Sequence, residues 1–213
     1  MLVVAGVSGA LAPVVFVTAV LVAGAISDGY SATGSAISEL FATGAPTATL
    51  VSVGMSGFAV LAIPLVLVLR HVPDGGVPWT AAALALDAAG AGLLVAFPCS
   101  AGCPGPAESS ADLWHLAIAG VAYLGHLSAP LLAQAELEAG GAHEWLRRLG
   151  MALGIPALVI FGVWALGLTG GYGGLAQRLF TMLVDVWIVA LAIAVVRLGL
   201  LRRQSQGPQE GSV

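Results

Sequence analysis

The sequence predicts an all-α membrane protein, a bundle of six transmembrane helices with both termini in the cytoplasm. Of its 213 residues, 59% are hydrophobic and only 8% are charged, whereas a soluble domain carries about a quarter charged residues. Six apolar stretches reach the roughly 20 residues that a membrane-spanning helix requires. The basic residues, all arginines, concentrate in alternate connections between these stretches.

The predicted spans cover about residues 2–27, 47–69, 79–98, 113–135, 149–168 and 179–201. The connections between them are short and rich in Gly, Pro and Ser, as loops are. The first stretch could be mistaken for a signal peptide, but it lacks a basic start and its apolar run is too long, so we expect it to be retained. The spans form one domain, followed by a polar tail at 204–213 that we expect to be disordered.

Orientation follows from the bias of arginine toward cytoplasmic loops. Arg70 lies in the second connection and Arg147 and Arg148 in the fourth, and three more arginines, Arg197, Arg202 and Arg203, lie at the C-terminal end. Only Arg178 lies in an odd-numbered connection. We therefore expect a multi-pass protein of the plasma membrane, in contact with membrane lipids. With a net charge of −4 and no basic cluster, nucleic acid is not an expected partner.

A polar island, residues 28–46, separates the first two spans and is predicted to face outside. It carries six hydroxyl side chains and the carboxylate of Glu39. We expect it to cover one end of the bundle and to contribute to a polar pocket there. The candidate binding residues, four from the island and two from later spans, are Tyr30, Ser35, Ser38, Glu39, His115 and Arg178. Ser35 and Ser38 have no activating base nearby in sequence, which favours a role in capping a short helix or in ordering the loop over a role as nucleophile.

Three ionisable residues lie deep inside predicted spans, away from the rims, where such residues face the bundle interior or a wet cavity. They are Asp87, His126 and Asp185, the candidates for acid–base catalysis. At 1.5 Å per residue, Asp87 and His126 lie at the same depth, so we expect them to be neighbours. A structural hydrogen bond and a proton-handling pair both fit this placement. His115, eleven residues before His126, shares its helix face at a shallower depth.

Arg178 lies in a connection that is predicted to face outside, contrary to the bias of arginine toward the cytoplasm. This exception suggests that Arg178 has a specific partner. Glu39 is the first candidate and Asp112 the second, and a solvated arginine at a helix start is the alternative.

Cys99 and Cys103 lie in a predicted outside loop, where disulfides persist, and we expect them to be bridged. The alternative to a structural disulfide is that the two cysteines form a redox-active pair. A metal site with His115 is disfavoured because no fourth ligand is evident, so the sequence predicts no metal and no cofactor.

Several short runs resemble the domain of unknown function 998 (DUF998) family of bacterial and archaeal membrane proteins. They are Gly29-Tyr30-Ser31, Ile37-Ser38-Glu39-Leu40, Gly44-Ala45-Pro46-Thr47, Phe97-Pro98, His115 and the glycine-rich turn before Arg178. The chain departs from the family pattern at Phe41, at Cys99-Ser100, and at Gln177, where an acidic residue commonly precedes the arginine. The resemblance implies a six-helix membrane protein and supplies no established activity.

Three functions fit these features. The first is an outward-facing pocket that binds a lipid or small amphiphile, or passes a small solute. The second is an intramembrane enzyme, a hydrolase or cyclase, that uses acid–base chemistry on a lipid-like substrate. The third is an accessory subunit whose glycine- and alanine-rich helix faces pack against a partner membrane protein.

Overall fold

The computed structural model describes residues 1–71, 76–103, 107–138, 141 and 143–205. Six of the helices in this part of the chain are long and apolar enough to cross a membrane, as the sequence predicts. They are α1 (Leu2–Ile26), α2 (Ala48–Arg70), α3 (Pro78–Ala96), α4 (Ser110–Glu136), α5 (Glu144–Ala165) and α6 (Gly173–Ser205). A 3₁₀ helix within the polar island (Ile37–Phe41) and a short 3₁₀ turn (Gly170–Tyr172) complete the secondary structure of the described residues.

The six helices form a closed ring. Each packs against its neighbours in sequence, α1 closes against α6, and α4 also meets α6 across the ring. Because successive helices alternate in direction, the chain's start and the end of α6 lie at one end of the bundle, here called the terminal end. The polar island and the loops before α4 and α6 meet at the other end, here called the island end.

Three helices begin earlier than their apolar stretches suggest. In α5, Glu144 accepts hydrogen bonds from Arg147 Nε at 2.7 Å and Arg148 Nε at 2.9 Å, which stabilises a polar first turn. In α4, the Ser109 hydroxyl caps the helix by accepting from the backbone N–H of Asp112. The third, α6, begins at Gly173 instead of about 179, and it continues through residues 204 and 205 of the predicted tail. The rest of that tail, 206–213, lies outside the described residues.

Two glycines allow α3 and α4 to approach closely. A Cβ on Gly90 would lie 2.9 Å from the Ala122 Cα, and one on Gly125 would lie 2.8 Å from the backbone nitrogen of Asp87. Both distances are too short for real side chains, so only glycine fits at these positions. The approach brings residue 126 of α4 against residue 87 of α3.

The two halves of the bundle are filled differently. The half toward the terminal end is a continuous apolar core of large side chains, among them Leu65, Leu84, Leu127, Trp187 and Ile188. Small residues and aromatic rings surround the interior of the other half, and a cavity lies there beneath the polar island.

Candidate functional site

The cavity measures about 260 Å³ and lies between α1, α2, α3, α4 and α6, with Trp164 of α5 at its edge. Ile37, Ser38 and Phe41 of the island 3₁₀ helix line its upper side. The island thus covers one end of the bundle, as expected. Most of the lining is apolar, and the ionisable groups occur at two depths, near the island and in the middle of the bundle.

At mid-bundle, His126 Nδ1 lies 2.8 Å from Asp87 Oδ2, which confirms that these residues are neighbours. His126 Nε2 lies 3.2 Å from the carbonyl oxygen of Thr181 on α6. A carbonyl oxygen can only accept, so Nε2 carries a hydrogen. The bond to Asp87 then holds one proton, on either the imidazole or the carboxyl group. In both cases the net charge of the pair is zero.

Asp185 lies one helical turn beyond Thr181, beside this pair. It lines the cavity, although only 7% of the residue is exposed, and it interacts electrostatically with both His126 and Asp87. No hydrogen bond to its carboxyl group comes from the residues that the structure describes. Asp185 is therefore a buried carboxyl group at the cavity wall that, unlike Asp87, has no hydrogen-bond partner among the described residues.

A buried hydrogen-bonded chain links the cavity to its cover. The Gln177 Oε1 atom accepts from the backbone N–H of Ile37 at 2.7 Å, and Gln177 Nε2 donates to the Tyr123 hydroxyl at 2.7 Å. Sequence reasoning treated Gln177 only as a departure from the family pattern and passed over Tyr123. No signal in the sequence pointed to Gln177, because the predicted last span begins at about 179 and leaves this residue in a loop, whereas α6 begins at Gly173 and buries the glutamine.

Arg178 fastens the island to α6, but not through a carboxylate. Its Nη1 donates to the carbonyl oxygens of Ala32 at 2.9 Å, Ser35 at 3.1 Å and Gly174 at 2.9 Å. Its Nη2 donates to the Tyr30 hydroxyl, and its guanidinium carbon lies 5.4 Å from the centre of the Tyr30 ring. Partial burial raises the pKa of the Tyr30 hydroxyl, an effect that the guanidinium offsets in part.

The expected pairing of Arg178 with Glu39 or Asp112 is therefore wrong. Glu39 Oε1 instead accepts from the backbone N–H of Ala36 at 2.7 Å and caps the island 3₁₀ helix. Asp112 accepts from the backbone N–H of Ser100 and from the Ser109 hydroxyl, both at 2.7 Å. The physical reason is that backbone amides and carbonyls in the loops supply partners that a comparison of side-chain charges overlooks.

The expected serine caps are also wrong, since the short helix exists but Glu39 caps it. Of the six candidate binding residues, only Ser38 and His115 line the cavity. Tyr30, Ser35 and Glu39 instead line a separate, shallow depression on the outer surface of the island. The structure thus divides the single predicted pocket into a deep cavity and a rim.

Cys99 and Cys103 are joined as a disulfide with Cα atoms 5.2 Å apart, and both line the cavity. His115 lies beside them, and its Nδ1 donates to the Phe97 carbonyl at 3.0 Å. The two sulfur atoms and an imidazole nitrogen lie within 4.8 Å of one another. A metal would need thiolates here, and the disulfide leaves none.

In a comparison with protein families, the model for the protein of unknown function DUF998 matches residues 10–194. The chain belongs to the DUF998 family. Comparison with curated proteins and with solved structures gave no match. With six helices that can cross a membrane, this DUF998 member is a multi-pass integral membrane protein.

The runs by which the chain resembles DUF998 meet at the island end. Ile37–Phe41 forms the 3₁₀ helix over the cavity, and Gly44, with φ of +83°, supplies the turn that leads into α2. The Phe97 carbonyl and His115 are bonded to each other, and Arg178 holds the island. In this DUF998 protein, the residues of the resemblance build the cover of the cavity and do not supply its deep ionisable groups.

Proposed function

We propose that this protein binds a small amphiphile in the cavity beneath the polar island, from the outer side of the plasma membrane. The observation that carries the proposal is a cavity of about 260 Å³ with mostly apolar walls, lined at its deep end by the carboxyl group of Asp185, which has no hydrogen-bond partner among the described residues. Such a combination of apolar walls and few polar groups is typical of small-molecule sites.

The size of the cavity favours a small ligand. A cavity of about 150 Å³ takes up benzene, and drug-sized ligands occupy roughly 300–1,000 Å³. The space therefore suits a single short chain or a small ring system with a polar group, and it is too small for a whole diacyl lipid.

Two further features support binding over passage of a solute. Leu116 of α4 lines the cavity although half of it is exposed, which offers a side entrance toward the bilayer. Below Asp87 and His126, the described residues of the terminal half form a packed core, in which a small void measures about 10 Å³. We infer a site that is closed at its inner end.

Photolabelling tests the proposal. The purified protein, in lipid nanodiscs, would be irradiated with an alcohol whose chain, of about eight carbons, carries a diazirine, a length chosen from the cavity size. We expect saturable labelling of cavity residues, mapped by peptide mass spectrometry. Ala91→Leu, which fills the cavity from α3, should abolish it, whereas Ala89→Leu on the exposed face of α3 should not. Labelling confined to the lipid-facing perimeter, or unchanged by Ala91→Leu, would refute the proposal.

A second candidate is an intramembrane enzyme with acid–base chemistry, and the Asp87–His126 hydrogen bond favours it. The pair holds a proton at the cavity wall, and Asp185 lies close enough to act as a second acid or base. Incubation with lipid extracts would then show turnover that Asp87→Asn removes and Ala89→Leu preserves. Full turnover by Asp87→Asn would exclude these residues as catalysts.

A further inference from the structure

We propose that the polar group of the bound amphiphile is a cation, an ammonium group on a short apolar body, and that Asp185 is its counter-ion. This inference rests on the proposed binding function and specifies the ligand class of the same cavity. Three observations support it: the ionisable side chains that line the cavity, the hydrogen-bond partners of its carboxyl groups, and the aromatic rings in its wall.

The groups that can carry charge around the cavity are predominantly acidic. Among the described residues, three carboxyl groups and two imidazoles line it, and no arginine does: they are Asp87, Asp112, Asp185, His115 and His126. The nearest arginine on α6, Arg178, directs its guanidinium away to the island carbonyls and Tyr30. The protein therefore places no permanent positive charge in this space.

Each carboxyl group except that of Asp185 has its partners within the protein. Asp87 shares a proton with His126, and His126 donates its other N–H to the Thr181 carbonyl. Asp112 accepts from a backbone N–H and two hydroxyls of the loop before α4. Within the part of the chain that the structure describes, an ionised Asp185 thus has no partner that compensates its charge. A buried carboxylate is costly without a partner, so a ligand with a positive charge and N–H donors would remove that cost.

The rings around the cavity suit the same ligand class. Tyr123 and Trp164 line the cavity, with ring centres 5.9 Å apart, and the rings of Phe161 and Phe180 pack against both. Aromatic faces attract cations, and together with a carboxylate they are a recurrent receptor for ammonium groups. The apolar walls toward the island would hold the uncharged body of the ligand.

The test compares three diazirine probes with the same eight-carbon chain and different head groups, an ammonium, a hydroxyl and a carboxylate. Nanodiscs of zwitterionic phosphatidylcholine, which carries no net charge, keep the membrane itself from concentrating the cation. We expect half-maximal labelling of the cavity at a concentration of the amine about tenfold lower than that of the alcohol, as a charged hydrogen bond replaces a neutral one. The carboxylate should label least.

In Asp185→Asn, half-maximal labelling should require equal concentrations of the amine and the alcohol. The alcohol should label this variant as it labels the wild type. Glu138→Gln removes an exposed carboxylate outside the cavity and should preserve the tenfold preference. Equal labelling by all three probes in the wild type would overturn the inference and leave the binding function standing, and this comparison requires no variant to fold. Preference for the amine that survives in Asp185→Asn would also overturn it, and labelling by none of the probes would overturn both proposals.

Discussion

The hydrogen bond between Asp87 and His126 joins two buried polar side chains across the α3–α4 interface, with 10% and 6% of their side-chain surfaces exposed. Removing one partner of such a pair leaves the other buried and unpaired, which typically costs about 3–5 kcal/mol. The pair therefore fixes the register of two helices, whatever chemistry the cavity supports.

We predict that Asp87→Ala lowers the free energy of unfolding by about 3 kcal/mol or more, because it leaves the buried imidazole of His126 without its partner at Nδ1. Asp87→Asn should cost less, since an amide still bonds to the ring nitrogen. Thermal unfolding in detergent measures both, with Glu138→Gln as the exposed control. An Asp87→Ala variant as stable as the wild type would show that the pair does not hold the helices together.

Side-chain contacts near the site differ in how well the sequence reveals them. The pairing of Asp87 with His126 is predictable, because rare ionisable residues at equal depth in an apolar bundle have few other partners. The partners of Arg178 are not predictable, because backbone carbonyls of Ala32 and Ser35 leave no signature in the sequence. The cap by Glu39 and the bridge by Gln177 escape prediction for the same reason, since both use backbone N–H groups.

At the scale of elements, the island is held to α6 mainly by backbone hydrogen bonds and Arg178. The first free N–H groups of α6, at Gly174 and Leu175, donate to the carbonyls of Gly34 and Thr33 at 3.2 and 2.9 Å. Arg178 adds its guanidinium to the same segment. The cover of the cavity is thus a loop docked on a helix N-terminus.

Arg178→Ala should loosen this docking and cost about 2 kcal/mol, the value of hydrogen bonds to a charged group. We expect faster amide hydrogen exchange across residues 28–46, with the core of α2 as the internal reference. Arg178→Lys should give an intermediate rate, because lysine keeps the charge but loses the planar fork that reaches several carbonyls and Tyr30. Unchanged exchange in Arg178→Ala would mean that other contacts hold the island.

The α3–α4 interface makes a separate prediction. Gly125→Ala places a methyl group 2.5 Å from the Ala83 carbonyl oxygen, so the helices must separate. Such overpacking typically costs about 1–3 kcal/mol, and here it would also stretch the Asp87–His126 bond. Gly120→Ala, on the same helix with open space around it, should leave the unfolding midpoint unchanged or slightly raised. Equal effects of the two substitutions would contradict the close approach.

For the whole molecule, the six membrane-spanning helices were predictable because apolar length alone defines a membrane span. Closure of α1 against α6 and the meeting of α4 with α6 were not, because they depend on shape complementarity between small residues of distant helices. The division into a packed half and a hollow half follows from the same packing, so the sequence indicated polar groups near the site without locating the space between them.

The orientation of the molecule in the membrane also makes a testable prediction. Six of the seven arginines lie toward the terminal end, and Arg178, the exception, is bonded to the island. We expect the terminal end in the cytoplasm. In a Cys99→Ser, Cys103→Ser background, Ala101→Cys should react with an impermeant maleimide on intact cells. Ser205→Cys should react only after permeabilisation, and the reverse pattern would invert the topology.

The most direct test of the account is an experimental density map of the protein in lipid nanodiscs, at a resolution that shows side chains. The account predicts elongated density between Asp185 and the island 3₁₀ helix, and its loss in Ala91→Leu but not in Ala89→Leu. A cavity collapsed by contact between its walls, or empty in the wild type, would contradict the claim that this space exists to hold a small amphiphile.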